Sequence, residues 1–144
     1  MIFLDTHVVV WLYAGELERV PAEARCAIEE QDLLISPMVM LELQYLHETG
    51  RLRVEAHTIV AALAKTVGLR VCEWGFNQIV LEALSQTWTR DPFDRVIVAH
   101  AASRDMTLLT KDDTILANYK KAFWSHSPKT AAAVKLRKKR RLHH

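Results

Sequence analysis

The sequence predicts an α/β fold in which a central, mainly parallel sheet is covered by helices on both faces, giving three layers. Two observations predict this architecture. Five short apolar runs, typical of buried strands, alternate along the chain with longer segments that have helical spacing. The chain also has 144 residues, of which 50% are hydrophobic, enough for one compact domain with a substantial core.

The predicted strands are short and almost entirely apolar. Strands of a parallel sheet are buried on both faces, so they lack the polar alternation of a half-exposed sheet. The five segments are 2–4, 33–35, 69–72, 107–109 and, with the weakest pattern, 122–124.

The helices are predicted from apolar spacing and from start signals. Serine or aspartate followed by proline marks the start of two of them, at Ser36-Pro37 and Asp91-Pro92. Pro21 stands at the expected first turn of another. The predicted helical segments are 21–31, 35–46, 55–67, 90–102 and 113–118.

Composition limits where the protein is expected to work. The chain contains no run of about 18 apolar residues, the length a membrane helix requires. Asp5 interrupts the apolar start, where a secretory signal peptide needs an unbroken apolar stretch. Cys26 and Cys72 stand far apart and match no metal-binding spacing. These features predict a cytoplasmic protein with no membrane association and no disulfide.

The last ten residues form a basic tail. Residues 135–144 hold six of the 19 Lys and Arg residues and none of the 17 Asp and Glu residues. Residues 1–134, the predicted folded domain, therefore carry 13 basic and 17 acidic side chains, a net charge of −4. The tail is expected to be a disordered, solvated appendage; the alternative is that it lies along a nucleic-acid backbone.

Two acidic residues lie where a charge is costly. Asp5 follows the first apolar run directly, so it is predicted at the carboxyl end of a buried strand, where a carboxylate needs a cap, a partner or a cation. Glu42 is the only charged residue in segment 35–46, and its helical neighbours are apolar or aromatic. Each has a structural alternative, since Asp5 can cap the next helix and the Glu42 carboxylate can reach water.

The helix predicted at 90–102 begins with two aspartates. Asp91 is the expected N-cap, and Asp94 stands three residues later, at the spacing of a capping box. Asp94, inside the helix start, is the better candidate for a metal ligand. Arg95 follows it and can reach a phosphate or a carboxylate, although a surface ion pair is the usual role of such an arginine.

Another acidic pair follows the fourth predicted strand. Thr110 is placed to hydrogen-bond a carboxylate or a water molecule, and Asp112 and Asp113 come next, where the sheet edge opens toward a site. One of these aspartates can serve as the N-cap of the short helix at 113–118. Asp112 is expected to face inward, and Asp113 to be the more exposed.

Four acids share one position in this repeating plan, at the end of a strand or in the early turns of a helix: Asp5, Glu42, Asp94 and Asp112. In an open parallel sheet such positions collect at one edge. Carboxylates without His or Cys partners suit Mg²⁺ or Mn²⁺ better than zinc. A divalent cation would relieve their repulsion and activate a water molecule for phosphodiester hydrolysis. The expected supporting residues are Thr6, Asp91, Thr110 and Arg95.

Four segments of the chain resemble the PIN-domain family, specifically the VapC-like toxins of bacterial and archaeal toxin–antitoxin pairs. They are FLDTHVVVW at 3–11, ISPMVMLEL at 35–43, TRDPFDRVIVAHAA at 89–102 and LLTKDDTI at 108–115. Their order and spread make the match specific. The resemblance implies an α/β/α PIN-like fold, Mg²⁺- or Mn²⁺-dependent endoribonuclease activity on RNA and inhibition by a cognate antitoxin. It also implies a homodimer, often built through the early helices.

Carried over by position, the resemblance assigns the family's acids to Asp5, Glu42 and Asp94, a less strictly placed fourth acid to Asp112, and the upstream acid of the DPFD element to Asp91. Two residues depart from the pattern. His7 stands where many relatives have Asn, and His100 stands where Gln is common. Either can tune hydrogen bonding near the site, although a histidine in such a setting is more often structural.

Two alternatives to an RNA-cleaving toxin stay open. One is a binding protein on the same scaffold, whose acids serve only as caps; loss of one of the four acids would favour it, and all four are present. The other is a metal-dependent nuclease acting on DNA, because metal chemistry on a phosphodiester does not depend on the sugar. The short chain leaves little room for elements that grip a duplex, which argues against the DNA alternative.

Overall fold

The computed structural model describes residues 1–125 and places a five-stranded sheet among seven helices. Residues 126–144, and with them the predicted basic tail at 135–144, lie outside the described residues. The strands are β1 (Ile2–Leu4), β2 (Leu33–Ile35), β3 (Arg70–Val71), β4 (Leu108–Leu109) and β5 (Ala122–Phe123). All of their pairings are parallel, in the order β3-β2-β1-β4-β5.

Helices connect successive strands, and one turn of 3₁₀ helix at Leu17–Arg19 lies between the first two helices. The helices are α1 (Thr6–Ala14), α2 (Ala22–Glu30), α3 (Pro37–Glu48), α4 (Ala56–Val67), α5 (Phe76–Ser85), α6 (Pro92–Ala102) and α7 (Asp113–Asn118). The predicted α/β/α architecture with a parallel sheet is confirmed. None of the helices within residues 1–125 is long and apolar enough to cross a bilayer.

The two central strands explain why the sheet is parallel and covered. Every side chain of β1 and β2 is buried, and all of them are Ile, Leu or Phe. A strand with no exposed face must be covered by helices on both sides. β1 therefore lies at the centre of the core, paired with β2 on one side and β4 on the other.

The helix starts follow the predicted capping signals. The Ser36 hydroxyl accepts a 3.1 Å hydrogen bond from the Met38 amide at the start of α3. Asp91 caps α6 in the same way, with proline at the first helical position of both helices. Pro21 lies one residue earlier than predicted, at the N-cap of α2, where it contributes no side-chain hydrogen bond.

The sequence patterns missed α5 and overextended three strands. The N-cap of α5 is Gly75, which makes no side-chain hydrogen bond to the helix, so α5 carries no start signal in the sequence. It is held instead by Ile79 and Ala83, which pack on Ala99 of α6 in a small separate core. The strands β3, β4 and β5 are each two residues long, shorter than the predicted segments. Two flanking residues still bond to the neighbouring strand, since the Cys72 amide donates to the Ile35 carbonyl at 2.8 Å and the Phe3 amide donates to the Thr107 carbonyl at 2.9 Å.

The strand order determines where a site can form. β1, first in sequence, has β2 and β4 as neighbours, so the order reverses beside β1. In open α/β sheets, the crevice outside the carboxyl ends of the strands at such a reversal is the usual ligand site.

Candidate active site

Asp5 lies at the carboxyl end of the central strand. It directly follows β1, and its amide donates a 2.9 Å hydrogen bond to the Leu109 carbonyl at the end of β4. The register that pairs Leu4 with Leu109 brings Asp5 beside Thr110. Asp5 is only 5% exposed. A carboxylate buried to this extent requires compensating partners.

Both oxygens of the Asp5 carboxylate have a hydrogen-bond partner. Asp5 is the N-cap of α1, and its Oδ1 accepts a 2.8 Å hydrogen bond from the Thr6 amide. Its Oδ2 accepts a 2.7 Å hydrogen bond from the Thr110 hydroxyl. Burial raises the pKa of Asp5, and the bonds from Thr110 and Thr6 oppose that shift. Capping and site formation are therefore not exclusive here. A carboxylate oxygen has two lone pairs, so each of these oxygens can accept a further bond.

Glu42 lies half-buried in the middle of α3, close to the Asp5 carboxylate. Burial raises the pKa of Glu42, the neighbouring Thr6 hydroxyl lowers it, and the negative charge of Asp5 raises it further. The Thr6 hydroxyl itself is fully buried and is the one such side-chain atom in residues 1–125 without a hydrogen bond of good geometry. Its closeness to Glu42 identifies Thr6 as a supporting residue of the site.

The two aspartates at the start of α6 have the different roles predicted for them. Asp91 Oδ1 accepts hydrogen bonds from the amides of Phe93, at 2.8 Å, and Asp94, at 3.3 Å, so Asp91 is the N-cap. Asp94 is half-buried, and only its amide, not its side chain, takes part in the cap. Its carboxylate is therefore available to a ligand.

Asp94 carries the clearest electrostatic sign that the acids converge. Burial is the largest cause that raises the pKa of this carboxyl to about 7, and negative charges nearby add to it. In decreasing order of effect these charges belong to Asp91, Asp5, Asp112 and Glu42. The other three acids identified in the sequence thus each act on Asp94, from three further segments of the chain. Spacing in sequence could not establish this convergence.

Asp112 combines a cap with a place at the site. Its Oδ1 accepts hydrogen bonds from the amides of Thr114, at 2.8 Å, and Ile115, at 3.0 Å, at the start of α7. Its own amide donates 3.0 Å to the Thr110 hydroxyl, which is bound to Asp5. Asp112 rather than Asp113 is therefore the N-cap. Both side chains are exposed, and of the two only Asp112 acts on the pKa of Asp5 and Asp94, as expected of the inward member.

Arg95 requires a correction. Its guanidinium donates hydrogen bonds of 3.0 to 3.3 Å to the carbonyl oxygens of Ala83 and Leu84, at the end of α5. These bonds satisfy terminal carbonyls of α5. Arg95 thus fastens α5 to α6, and its donors are directed to the backbone rather than to the acids or a phosphate.

The two histidines that depart from the family pattern have different settings. His100 is buried, and its Nδ1 shares a 2.8 Å hydrogen bond with the Ser36 hydroxyl. Burial lowers the pKa of His100, so the ring is neutral and structural. His7 is exposed. It lies close enough to the acids to lower the pKa of both Asp5 and Glu42.

A cavity of about 460 Å³ adjoins the acids on one side, lined in part by Asp5, Trp11, Lys111 and Asp112. Trp11 and Lys111 were not among the candidates from sequence. Lys111 stands between Thr110 and Asp112 in the sequence, so its position in that motif was the available signal. A larger open cavity of about 850 Å³, beside Trp74 and Arg104, contains none of the four acids. We assign the site by its chemistry rather than by cavity size.

The acids do not form a closed metal cage. Within residues 1–125, no three His, Cys, Asp or Glu side chains are arranged to hold a metal ion directly. Mg²⁺ does not require such a cage, since it keeps several waters and is usually bound through one or two carboxylates and substrate phosphate oxygens. An all-oxygen donor set, mutual repulsion at Asp94 and an unsatisfied hydroxyl at Thr6 fit a hydrated divalent cation.

Comparison with known proteins gives the same picture. Residues 2–122 match the family model of the PIN domain. Ribonuclease VapC22 of Mycobacterium tuberculosis is 30% identical over 117 residues, which cover 77% of this chain and 86% of the relative.

Solved structures resemble the fold. A toxin–antitoxin complex from Klebsiella pneumoniae has a TM-score of 0.60 at 16% identity, covering 85% of this chain and 96% of that chain. VapBC2 from Rickettsia felis, bound to a DNA fragment from its promoter, has a TM-score of 0.57 at 17% identity, covering 87% and 100%. At these identities the two structures bear on the fold alone. The match over residues 2–122 and the likeness to Ribonuclease VapC22 show that the chain belongs to the PIN-domain family, among its VapC-like members.

Proposed function

We propose that this protein is an Mg²⁺- or Mn²⁺-dependent endoribonuclease and the toxin of a type II toxin–antitoxin pair. The observation that carries the proposal is the convergence of four carboxylates on Asp94, whose pKa they help raise to about 7. Such repulsion is tolerated where a cation is to be bound. The similarity to Ribonuclease VapC22 supports RNA as the substrate.

Asp5, Glu42 and Asp94 would hold the cation, directly or through water, and Asp112 would complete the site. When bound, a divalent cation supplies an activated water molecule and neutralises charge that develops on the phosphate. The protein's own contribution is to fix the carboxylates. Thr110 and Thr6 orient Asp5 from two sides, each through a hydrogen bond to a different carboxylate oxygen.

Each acid is positioned by a different element, so the site depends on the assembled fold. Asp5 follows β1, Glu42 lies on α3 and Asp94 lies on α6. α3 packs against α6, which brings the last two acids together beside the edge of the sheet. The scissile phosphate at this edge would face carboxylates from three directions, so its cleavage would require a cation that neutralises them.

The proposed partners are an antitoxin and a second copy of the chain, and the proposed location is the cytoplasm. Helices α3 and α5 carry large apolar side chains that are 48–65% exposed: Leu41 and Tyr45 on α3, and Leu81 and Leu84 on α5. α6 joins the two helices, because Tyr45 stacks near Phe93 at 5.8 Å and Arg95 binds the Leu84 carbonyl. Burial of this face in a homodimer would remove it from water. Light scattering of the wild-type protein and of Leu81→Lys tests this: a dimer is expected for the former and a monomer for the latter.

The decisive experiment is incubation of purified protein with total RNA, with Mn²⁺ or with EDTA, followed by mapping of the cut ends. We expect defined cuts with Mn²⁺ and none with EDTA. Asp5→Asn serves as the inactive control. A parallel reaction with single-stranded DNA separates the DNA alternative, and absence of a metal-dependent cut in either nucleic acid contradicts the proposed function and favours a binding protein.

A further inference from the structure

The cavity of about 460 Å³ lies to one side of the acids. Asp5 and Asp112 are among its lining residues, whereas Glu42 and Asp94 are not, so the cavity extends away from the centre of the four acids. Its volume is within the range of pockets that bind small ligands. A cavity of this size can hold one nucleotide whose neighbouring phosphate lies at the acids.

Lys111 places a free positive charge in this cavity. Its Nζ lies 5.5 Å from the centroid of the Trp11 ring, within range of a cation–π contact. The ion pairs formed within residues 1–125 do not include Lys111, although Asp112 and Asp113 follow it directly. Among the lining residues, Lys111 is the only permanent cation. Its ammonium group is therefore held over an aromatic ring with its hydrogen-bond donors available.

Two aromatic rings, of His7 and Trp11, also line the cavity. The His7 ring lies 6.0 Å from the Trp11 ring, and the Trp11 ring lies 5.6 Å from that of Trp124. Trp11 is only 9% exposed, so it serves as a fixed support, while His7 is exposed at the rim of the cavity. An exposed ring backed by a rigid one is a surface on which a base can stack.

We propose that this cavity is the subsite for the nucleotide next to the scissile phosphate, with Lys111 binding a backbone phosphate and His7 stacking on the base. The inference rests on the proposed ribonuclease function. RNA is favoured over an acidic protein segment because the cavity combines one cation and a stacking ring with the acids Asp5, Asp112 and Asp113, of which the first two belong to the site that a substrate must reach. Stacking and a phosphate contact read no base edge, so this subsite would tolerate any base.

The test compares Lys111→Gln with Lys65→Gln, a matched loss of charge at an exposed residue of α4 that does not line the cavity. In Mn²⁺-dependent cleavage of a single-stranded RNA oligonucleotide, Lys111→Gln should raise KM by about two- to five-fold, with a smaller effect on kcat. For binding of the same RNA in EDTA, the slope of log Kd against the logarithm of the salt concentration should be smaller by about 0.7 in Lys111→Gln than in the wild type. Lys65→Gln should leave both quantities unchanged.

His7 is tested by two substitutions. His7→Ala should weaken RNA binding by about five-fold or more, and His7→Phe, which keeps a stacking ring, should restore it. If Lys111→Gln behaves like Lys65→Gln, or if neither His7 variant changes Kd, the subsite is wrong even where the wild-type protein cleaves RNA. If the wild-type protein binds RNA through Lys111 but cleaves no RNA with Mn²⁺, the subsite is supported and the ribonuclease function fails.

Discussion

The hydroxyl of Thr110 donates a 2.7 Å hydrogen bond to Oδ2 of Asp5, joining the ends of two adjacent strands across 105 positions of sequence. The same hydroxyl oxygen accepts the Asp112 amide at 3.0 Å. One buried threonine therefore sets the orientation of the most buried acid and the start of the segment that carries the most exposed one.

Replacement of Thr110 separates this role from simple packing. Thr110→Val keeps the volume but removes the hydroxyl, which leaves Oδ2 of Asp5 and the Asp112 amide each without this partner. We expect a loss of about 1–3 kcal/mol in the free energy of unfolding, with reduced cleavage. Thr110→Ser, which keeps the hydroxyl, should retain most of the activity. Urea unfolding and cleavage rates measure the two effects, and equal activity of the Val and Ser variants would contradict the role.

Neutral variants of the proposed metal ligands should lose activity and keep the fold. Asp5→Asn and Asp94→Asn each remove a charge with little change in volume. The loss of cleavage should exceed the roughly 10- to 100-fold that follows loss of an outer-shell partner. Asp32→Asn, at an exposed aspartate before β2, is the matched control and should cleave like the wild type. Wild-type rates in either site variant would exclude that residue from the site.

The acids also make the stability of the metal-free protein depend on pH. The pKa of Asp94 is about 7 in the fold and 3.8 as an unperturbed carboxyl, so between these values the folded state binds more protons than the unfolded state. Stability should therefore fall as pH rises from about 4 to about 7. Asp94 is only half-buried, and solvent screening reduces the expected effect to on the order of 1 kcal/mol.

Asp94→Asn provides the measurement of this pH effect. In EDTA at pH 8, this variant should unfold at a higher urea concentration than the wild type, because it lacks the repelled charge. At pH 4 the difference should disappear, since Asp94 is then protonated, and Mn²⁺ at pH 8 should reduce it. An equal difference at pH 4 and pH 8 would show that repulsion at Asp94 is not its cause.

Thr6 offers a test that does not remove a charge. Its buried hydroxyl lacks a hydrogen bond of good geometry, so Thr6→Val should leave the free energy of unfolding unchanged or raise it by up to about 1 kcal/mol. The hydroxyl favours the charged form of Glu42, so its loss should increase the Mn²⁺ concentration required for half-maximal cleavage. Thr6→Ser is the control that keeps the hydroxyl. An unchanged Mn²⁺ requirement in Thr6→Val would remove Thr6 from the site.

Asp91 requires two substitutions, because a damaged helix start can imitate a catalytic defect. Asp91→Asn keeps a capping side chain and removes the charge, whereas Asp91→Ala removes both. We expect Asp91→Ala to lower stability by about 1 kcal/mol and Asp91→Asn to have little effect on it. If Asp91 acts mainly as a cap, cleavage by Asp91→Asn should stay close to wild type. A severe loss of cleavage in the stable Asn variant would place the Asp91 charge in the site.

Local signals in the sequence were sufficient for much of the fold. Ser36-Pro37 and Asp91-Pro92 mark helix starts because capping depends on residues only a few positions apart. α5 was missed because it has no such signal and is held by packing on α6. Arg95 was misjudged for the same reason, since its partners at the end of α5 belong to a helix absent from the prediction.

The site was harder to predict than the strands, because it depends on pairing between distant segments. The pattern around Asp5 suggested either a cap or a ligand, whereas the structure gives its two oxygens separate partners in Thr6 and Thr110. The bond from Thr110 exists only because β4 lies beside β1, and strand order is not encoded by local spacing. Lys111 was overlooked because its significance depends on Trp11, a hundred positions away in the chain.

The central place of β1 has a consequence during translation. Synthesis runs from β1 toward β4, so β1 emerges from the ribosome about a hundred residues before Thr110 is available to bond to Asp5. Until then the nascent chain lacks both the partner that orients its buried acid and the segment that carries Asp112. The proposed site therefore cannot assemble around β1 alone, and it is complete only after β4 has paired with β1 and α7 has begun.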